Sequence, residues 1–209
     1  PILMLLVMYC ILEFIGAISF DSMCTPLLLA RTNNNGTIVG IVSSFMAIGC
    51  IVASVLLSII KQQEKKLPLM YFGSYLCLLG ITLFGMGRNL VWWCIVVFIG
   101  CFGSPIYHTY QTIIIREKVD TSVQGRVFSL QGMITQALTP LGFFGGGMLA
   151  DYVFEPFIRK MSSNRNIITF LVGRQNGSGI GLIFVLAGLT GMIALTIMKC
   201  HPAIKQLDQ

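Results

Sequence analysis

Six apolar runs, each long enough to cross a bilayer, fill most of this chain, and no single soluble core accommodates them. A transmembrane helix needs about 20 apolar residues. Runs of that order lie at about 2–23, with apolar sequence continuing toward 30, then at 38–60, 67–87, 90–115, 127–150 and 179–199. Hydrophobic residues make up 55% of the chain and charged residues 11%, against roughly 25% charge in a soluble domain. The runs are helical or continuous in pattern, whereas a transmembrane barrel alternates over segments of about 10 residues. Because lipid leaves no backbone polar group unpaired, the fold expected is all-α, a polytopic bundle of six transmembrane helices.

The net charge of +6 is spread over turns and forms no patch suited to nucleic acid, so the bilayer is the expected partner. Lys61, Lys65 and Lys66 follow the second span, Arg116, Lys118 and Arg126 the fourth, and Lys199 and Lys205 the sixth. The opposite short turns carry Arg31 and Arg88. Short-loop Lys and Arg mark the cytoplasmic side, which puts both termini, with the 200–209 tail, in the cytoplasm and the chain in the cell membrane as a multi-pass protein. The outer loop 151–178 runs against this count with Arg159, Lys160, Arg165 and Arg174, and its apolar parts, such as 167–172, suit the interface. Trp92 and Trp93 suit an aromatic belt at the outer surface, or equally lipid-facing packing.

Seven cysteines show no CxxC pair and lie mostly inside spans, where they are expected as small apolar residues, without disulfide or metal site. The sequons at Asn35 and Asn176 fall on the outer side, but such tripeptides are frequent by chance and glycosylation is not expected. The chain opens at Pro1 inside an apolar run, without a basic leader, which reads as a fragment of something longer and not as a signal peptide.

The turns Arg31 to Gly36, Lys61 to Lys66 and Arg116 to Arg126 leave no room for a catalytic domain, and no phosphate-cradling loop, HExxH or GxSxG is present. Gly103-Ser104 with His108 lacks the surroundings of a nucleophile. No enzyme and no cofactor is expected. Small residues at helix-contact spacing, Gly36/Gly40, Gly49/Ala53, Gly100/Ser104, Gly142/Gly146 and Gly177/Gly181, point to close helix packing.

A charge at the bilayer centre costs about 2.5–3.5 kcal/mol on insertion scales, so its placement reports function. The first span carries Glu13 and Asp21, eight residues apart and within about a quarter turn of each other. On the fourth, Ser104, Tyr107, His108 and Gln111 follow i, i+3, i+4, i+7; on the fifth, Gln131, Thr135 and Thr139 share a face. The third and sixth spans have no charge in their interiors. A hydrated cavity bounded by spans one, four and five satisfies these groups together. Each also has a structural reading: Glu13 paired to another helix, Asp21 touching water at the interface, His108 bonded between helices.

Thr25-Pro26-Leu27-Leu28-Leu29-Ala30-Arg31-Thr32 and Gly40-Ile41-Val42-Ser43-Ser44 through Gly49 resemble the seventh and eighth helices of bacterial major facilitator superfamily exporters of the macrolide-efflux type. Lys118-Val119 with Gln124-Gly125-Arg126-Val127-Phe128-Ser129 resembles the start of their helix eleven, and Pro140-Leu141-Gly142 through Leu149-Ala150-Asp151-Tyr152-Val153-Phe154-Glu155-Pro156 its end. The resemblance implies the C-terminal six-helix half of a transporter over residues 1–209, a 3+3 inverted repeat that works with an N-terminal six-helix half. It implies that the first and fourth helices line the central cavity while the third and sixth sit outside. The turn Ile59 to Lys66 lacks the family's Gly-Asp-Arg pattern, and the glycine run Pro140 to Gly147 looks like an antiporter motif that belongs to the other half.

The function implied is proton-coupled efflux of an amphipathic small molecule by alternating access. A carboxylate held away from water can exchange a proton and bias the two access states. Glu13 is the first candidate and Asp21 the second. Ser104, Tyr107, His108, Gln111, Gln131, Thr135 and Thr139 would line the cargo path, and Arg126 would anchor the cytoplasmic end of the fifth span near Glu117 or Asp120. A facilitative channel and a non-transporting membrane subunit or split-gene remnant are the alternatives.

Overall fold

The computed structural model describes residues 2–60, 66–161, 171–173 and 175–201. Lys61, Lys65, Arg165, Arg174 and Lys205 lie outside the described residues, as do the side chains of Arg159 and Lys160. Among the described residues every regular element is helical, in an all-α transmembrane bundle.

Helix α1 (Ile2–Arg31) is broken by a π-helical turn at Ala17–Asp21 and contains Pro26. Asn33 and Asn34, with φ of 52° and 61°, then turn the chain, a conformation that Asn tolerates better than most residues. Asn35 caps α2 (Gly36–Ile59) by accepting the Thr37 N–H at 3.0 Å. Helices α3 (Lys66–Met86) and α4 (Leu90–Lys118) follow. The Asp120 carboxylate caps α5 (Thr121–Met148) through the Ser122 N–H at 3.2 Å. A second π-helical turn, Leu149–Phe154, leads into α6 (Glu155–Met161), and α7 (Ser178–Cys200) starts after Gly177, whose φ of 80° suits glycine.

Helices α1, α2, α3, α4 and α7 are long and apolar enough to cross a membrane. The fifth expected span departs from this. At 28 residues α5 has the length, but its Gln, Thr and Ser residues lower its hydropathy below that of the other five. Its helix also starts six residues before the expected 127 and continues through Phe154 to Met161, so the first part of the expected outer loop is helical. Pro156 lies just after the π-helical turn, where the ordinary i to i−4 hydrogen-bond ladder is already interrupted.

In lipid, apolar side chains gain little by leaving an apolar solvent, and close backbone approach supplies the packing. Helices α3 and α4 meet most extensively. A Cβ on Gly80 would lie 2.6 Å from the Gly100 Cα, and one on Gly103 would lie 2.6 Å from the Gly73 carbonyl. Helix α2 packs on α4 through Gly49 and buried Ala53, α5 on α1 through Gly142 and Gly146, and α7 on α3 through Gly85, Gly188 and Gly191. Gly36 and Gly40, expected at a contact, face open space.

The ends of the bundle differ. Toward the termini, Leu5, Met8, Met70, Leu78, Ile114 and Leu195 form one core, and Lys66 pairs with Glu117. At the opposite end Leu27, Val42, Phe84, Trp93 and Phe184 form another, with the Phe84 and Phe184 rings 5.1 Å apart. Trp93 is 1% exposed inside this core, which corrects the interfacial reading for that residue. Trp92 faces outward at 42% exposure and donates its Nε1–H to the Leu83 carbonyl at 3.0 Å. The Arg31 guanidinium donates to the carbonyls of Gly87 and, at 3.0 Å, Val172, tying the far ends of α1 and α3 to the segment before α7. Glu155 accepts the Gly179 N–H at 3.1 Å, placing a carboxylate at the positive end of α7.

Candidate functional site

About midway along α1 and α4 the helices part around a cavity of about 300 Å³. From α1 come Glu13, Gly16, Phe20 and Asp21; from α2 Met46 and Cys50; from α3 Ser74 and Cys77; from α4 Cys101, Ser104, Tyr107 and His108. Two local features shape it. The π-helical turn of α1 follows Glu13 and ends on Asp21, and carbonyls in and just before it are taken by hydroxyls: Ser19 donates to Ile15 at 2.5 Å and Ser22 to Ile18 at 2.6 Å. Gly142 and Gly146 let α5 press against this turn from behind, where a Cβ on Gly146 would lie 2.6 Å from the Ser22 Oγ.

The second feature is Pro105 inside α4. Proline has no N–H, so the carbonyl four residues earlier, that of Cys101, loses its helical donor. The Cys50 thiol of α2 donates to that carbonyl at 3.4 Å, and the Cys77 thiol of α3 donates to the neighbouring Gly100 carbonyl at 3.4 Å. These cysteines therefore act as donors between helices and not only as apolar filler.

On the opposite wall Glu13 Oε1 stands 3.9 Å from His108 Nε2, outside hydrogen-bond reach. The His108 ring lies 4.8 Å from that of Tyr107 and 6.4 Å, edge to face, from that of Tyr9. Tyr107 is 5% exposed, and its hydroxyl has no hydrogen-bond partner. In an apolar interior a polar group without a partner carries a penalty of roughly 1–3 kcal/mol, so a guest that bonds to this oxygen is favoured.

Glu13, Asp21, Ser104, Tyr107 and His108 thus meet at one cavity, as the polar pattern of spans one and four suggests. The remaining walls correct the expectation. They come from α2 and α3, and none of the lining residues belongs to α5. Thr135 shares a hydrogen bond of 2.7 Å with the Tyr9 hydroxyl, and Thr139 donates to the Thr135 carbonyl at 2.8 Å, so this stripe meets α1 and its own backbone and not the cavity. Gln131 and Gln111 are buried off the cavity, Gln111 with its Nε2 unpartnered. Helix α3, expected outside, supplies a wall because its glycines let it approach α4 closely.

The proposed anchor is also corrected. Glu117 pairs with Lys66 and Asp120 caps α5, which leaves Arg126 exposed without either carboxylate. Gln124 fastens that turn instead, donating to the carbonyls of Arg116 at 2.8 Å and Val119 at 2.9 Å. Tyr9 and Phe20 were also missed, although Tyr9, Glu13, Gly16 and Phe20 follow i, i+4, i+7, i+11 on one helix face.

Two curated proteins from Streptococcus pyogenes, one of them from serotype M6, both named Macrolide efflux protein A, are 28% identical to this chain over 123 residues. The match covers 57% of the chain, and the chain spans 30% of the length of those relatives. No family model matches, and no solved structure matches.

Proposed function

We propose that this chain is the C-terminal six-helix half of a major facilitator superfamily transporter that exports an amphipathic small molecule in exchange for protons. The observation that carries this reading is the cavity midway along the bundle, with two carboxylates and a histidine on walls that are otherwise apolar. Ionisable groups at that depth are costly and in transporters mark cargo and ion pathways. Export is the role in the name of the streptococcal relatives.

The packing supports a 3+3 repeat. Helix α2 lies on α4 and α5 lies on α1, so exchanging the first three spans with the last three maps one pair onto the other. Placing both termini in the cytoplasm follows from Lys66, Arg116 and Lys118 gathering at one end, opposite Arg31 and Arg88. In this mechanism Glu13 takes up the proton and Asp21 is second in line. Ser104, Tyr107 and His108 meet the cargo, while Thr135 acts from behind the wall by holding α5 to α1 through Tyr9. Rocking against the N-terminal half would open the cavity alternately to each side.

Inverted membrane vesicles containing the protein test this. An imposed proton gradient should drive uptake of cargo, and Glu13→Gln should abolish it while expression persists. Uptake that ignores the gradient would indicate a facilitative channel, and no movement under any condition would indicate a non-transporting subunit.

A further inference from the structure

We propose that the end of the bundle opposite the termini binds an anionic phospholipid, with its phosphodiester against Arg88 and Asn89 and an acyl chain along α4. The inference needs only a bundle set in a bilayer, and it stands or falls apart from the transport cycle.

A second cavity, of about 330 Å³, opens where α3 ends and α4 begins, lined by Met86, Arg88, Asn89, Trp92 and Leu171. Its polar side is a guanidinium and an amide, and no carboxylate is among the lining residues. The backbone just beyond Leu171 holds the guanidinium in place. A Cβ on Gly173 would lie 3.4 Å from the Arg88 Nε, and the φ of 87° at Gly173 is one that glycine tolerates. Arg31 donates to the carbonyl of the preceding residue, Val172, at 3.0 Å. Two guanidiniums therefore flank consecutive residues, and that of Arg31 meets carbonyls and, among the described residues, no carboxylate. A phosphodiester carries the opposite charge, and its two free oxygens match the fork of an arginine.

The sequence at this end supplies charge of the same sign. Arg31, Arg88, Arg159, Lys160, Arg165 and Arg174 outnumber Asp151 and Glu155. In the orientation proposed above this is the side on which basic residues are ordinarily sparse, and basic pockets between transmembrane helices are a recurrent means of holding acidic headgroups.

The remaining walls favour a lipid over a soluble phosphate. Met86, Leu171 and the ring of Trp92 are apolar, and the Trp92 Nε1–H is already bonded to the Leu83 carbonyl at 3.0 Å, so its exposed face offers surface and no donor. From there Trp92, Ile95 and Ile99 follow i, i+3, i+7 and are 42%, 53% and 37% exposed. This open apolar face descends about 10 Å along α4 toward the middle of the membrane. An acyl chain covers it, and inorganic phosphate cannot.

Trp92 reports on the site, since Trp93, the other tryptophan of the chain, is 1% exposed. The full chain in phosphatidylcholine nanodiscs is titrated with phosphatidylglycerol brominated near the carboxyl end of its chains, which quenches indoles by contact, and in parallel with phosphatidylcholine brominated in the same way. The glycerol lipid should quench at about tenfold lower mole fraction, the size expected of one charge-assisted pair. Arg88→Gln should remove that preference, and Trp92→Phe should remove most of the quenching. Arg126→Gln, which takes the same charge from an exposed arginine at the other end, should keep the preference. Equal quenching by the two lipids in the unaltered chain would overturn the proposal without any variant, and so would a preference that survives Arg88→Gln. Glycerophosphoglycerol, the headgroup without its chains, should leave the quenching unchanged at the concentration of the lipid; displacement by it would assign the site to a soluble phosphate and overturn the lipid. Loss of proton-driven uptake in vesicles would discard only the transporter reading.

Discussion

Replacing Gly80 with alanine should loosen the α3–α4 contact, and the cost can be worked from the backbone. In an unobstructed helix interior alanine is favoured over glycine by about 1 kcal/mol. Gly145 on α5, with nothing within 4 Å of its would-be Cβ, supplies that baseline. At Gly80 the new methyl would lie 2.6 Å from the Gly100 Cα and 3.2 Å from its nitrogen. Carbon atoms settle about 3.5–4.0 Å apart, so the helices must part by about 1 Å. That gap forfeits a quarter to a half of each neighbouring dispersion contact, and it spreads to the Gly73–Gly103 approach one turn pair away. Overpacking of this kind costs about 1–3 kcal/mol. The propensity gain is common to both positions, so Gly80→Ala should be less stable than Gly145→Ala by about 1–3 kcal/mol, measured by reversible unfolding in mixed micelles with increasing dodecyl sulfate. Equal midpoints for the two variants would refute the claim that bare backbone contact joins α3 to α4.

Tyr9→Phe removes the bond to Thr135 and should cost about 0.6 kcal/mol, and no more than about 1.7, in the same titration; a larger loss would mean that Tyr9 holds more than the α1–α5 seam. Glu117→Gln breaks a pair whose carboxylate is half exposed, so unfolding should shift by less than about 1 kcal/mol; a shift of several would make this turn a structural anchor after all. Arg31→Gln strands the carbonyls of Gly87 and Val172 and should cost about 2–3 kcal/mol, with faster amide exchange at the start of α7; unchanged exchange there would show that the guanidinium is not what ties these ends.

The spans were legible because bilayer thickness imposes their length, and four of the six ends near Ile59, Met86, Lys118 and Cys200 fall within a few residues of the expected limits. Asp151 and Tyr152 looked like an exit from the membrane, yet neither residue breaks a helix, and it runs on through the π-helical turn and Pro156 to Met161. The carboxylates and the Ser104–Tyr107–His108 face were legible because polar groups at depth are costly. The bond from Thr135 to Tyr9 of α1 was not legible because periodicity identifies a face and not what it meets. Gly73 and Gly80 went unread because they lie seven residues apart, outside the four-residue spacing that signals contact most plainly. The bond from Cys50 to the carbonyl freed by Pro105 joins residues 51 apart, and its two halves mean nothing separately.

That bond bears on how the bundle is joined. Because Pro105 withdraws the internal donor from Cys101 permanently, the thiol across the gap has a standing acceptor, and α2 is bonded to α4 at the point where α4 lacks its own hydrogen bond. Helix α3 is pressed bare backbone to bare backbone on the same helix. Between α1 and α4 the contact is sparse and Glu13 faces His108 without a bond, which leaves the seam through the carboxylates a thinly joined boundary of the cavity.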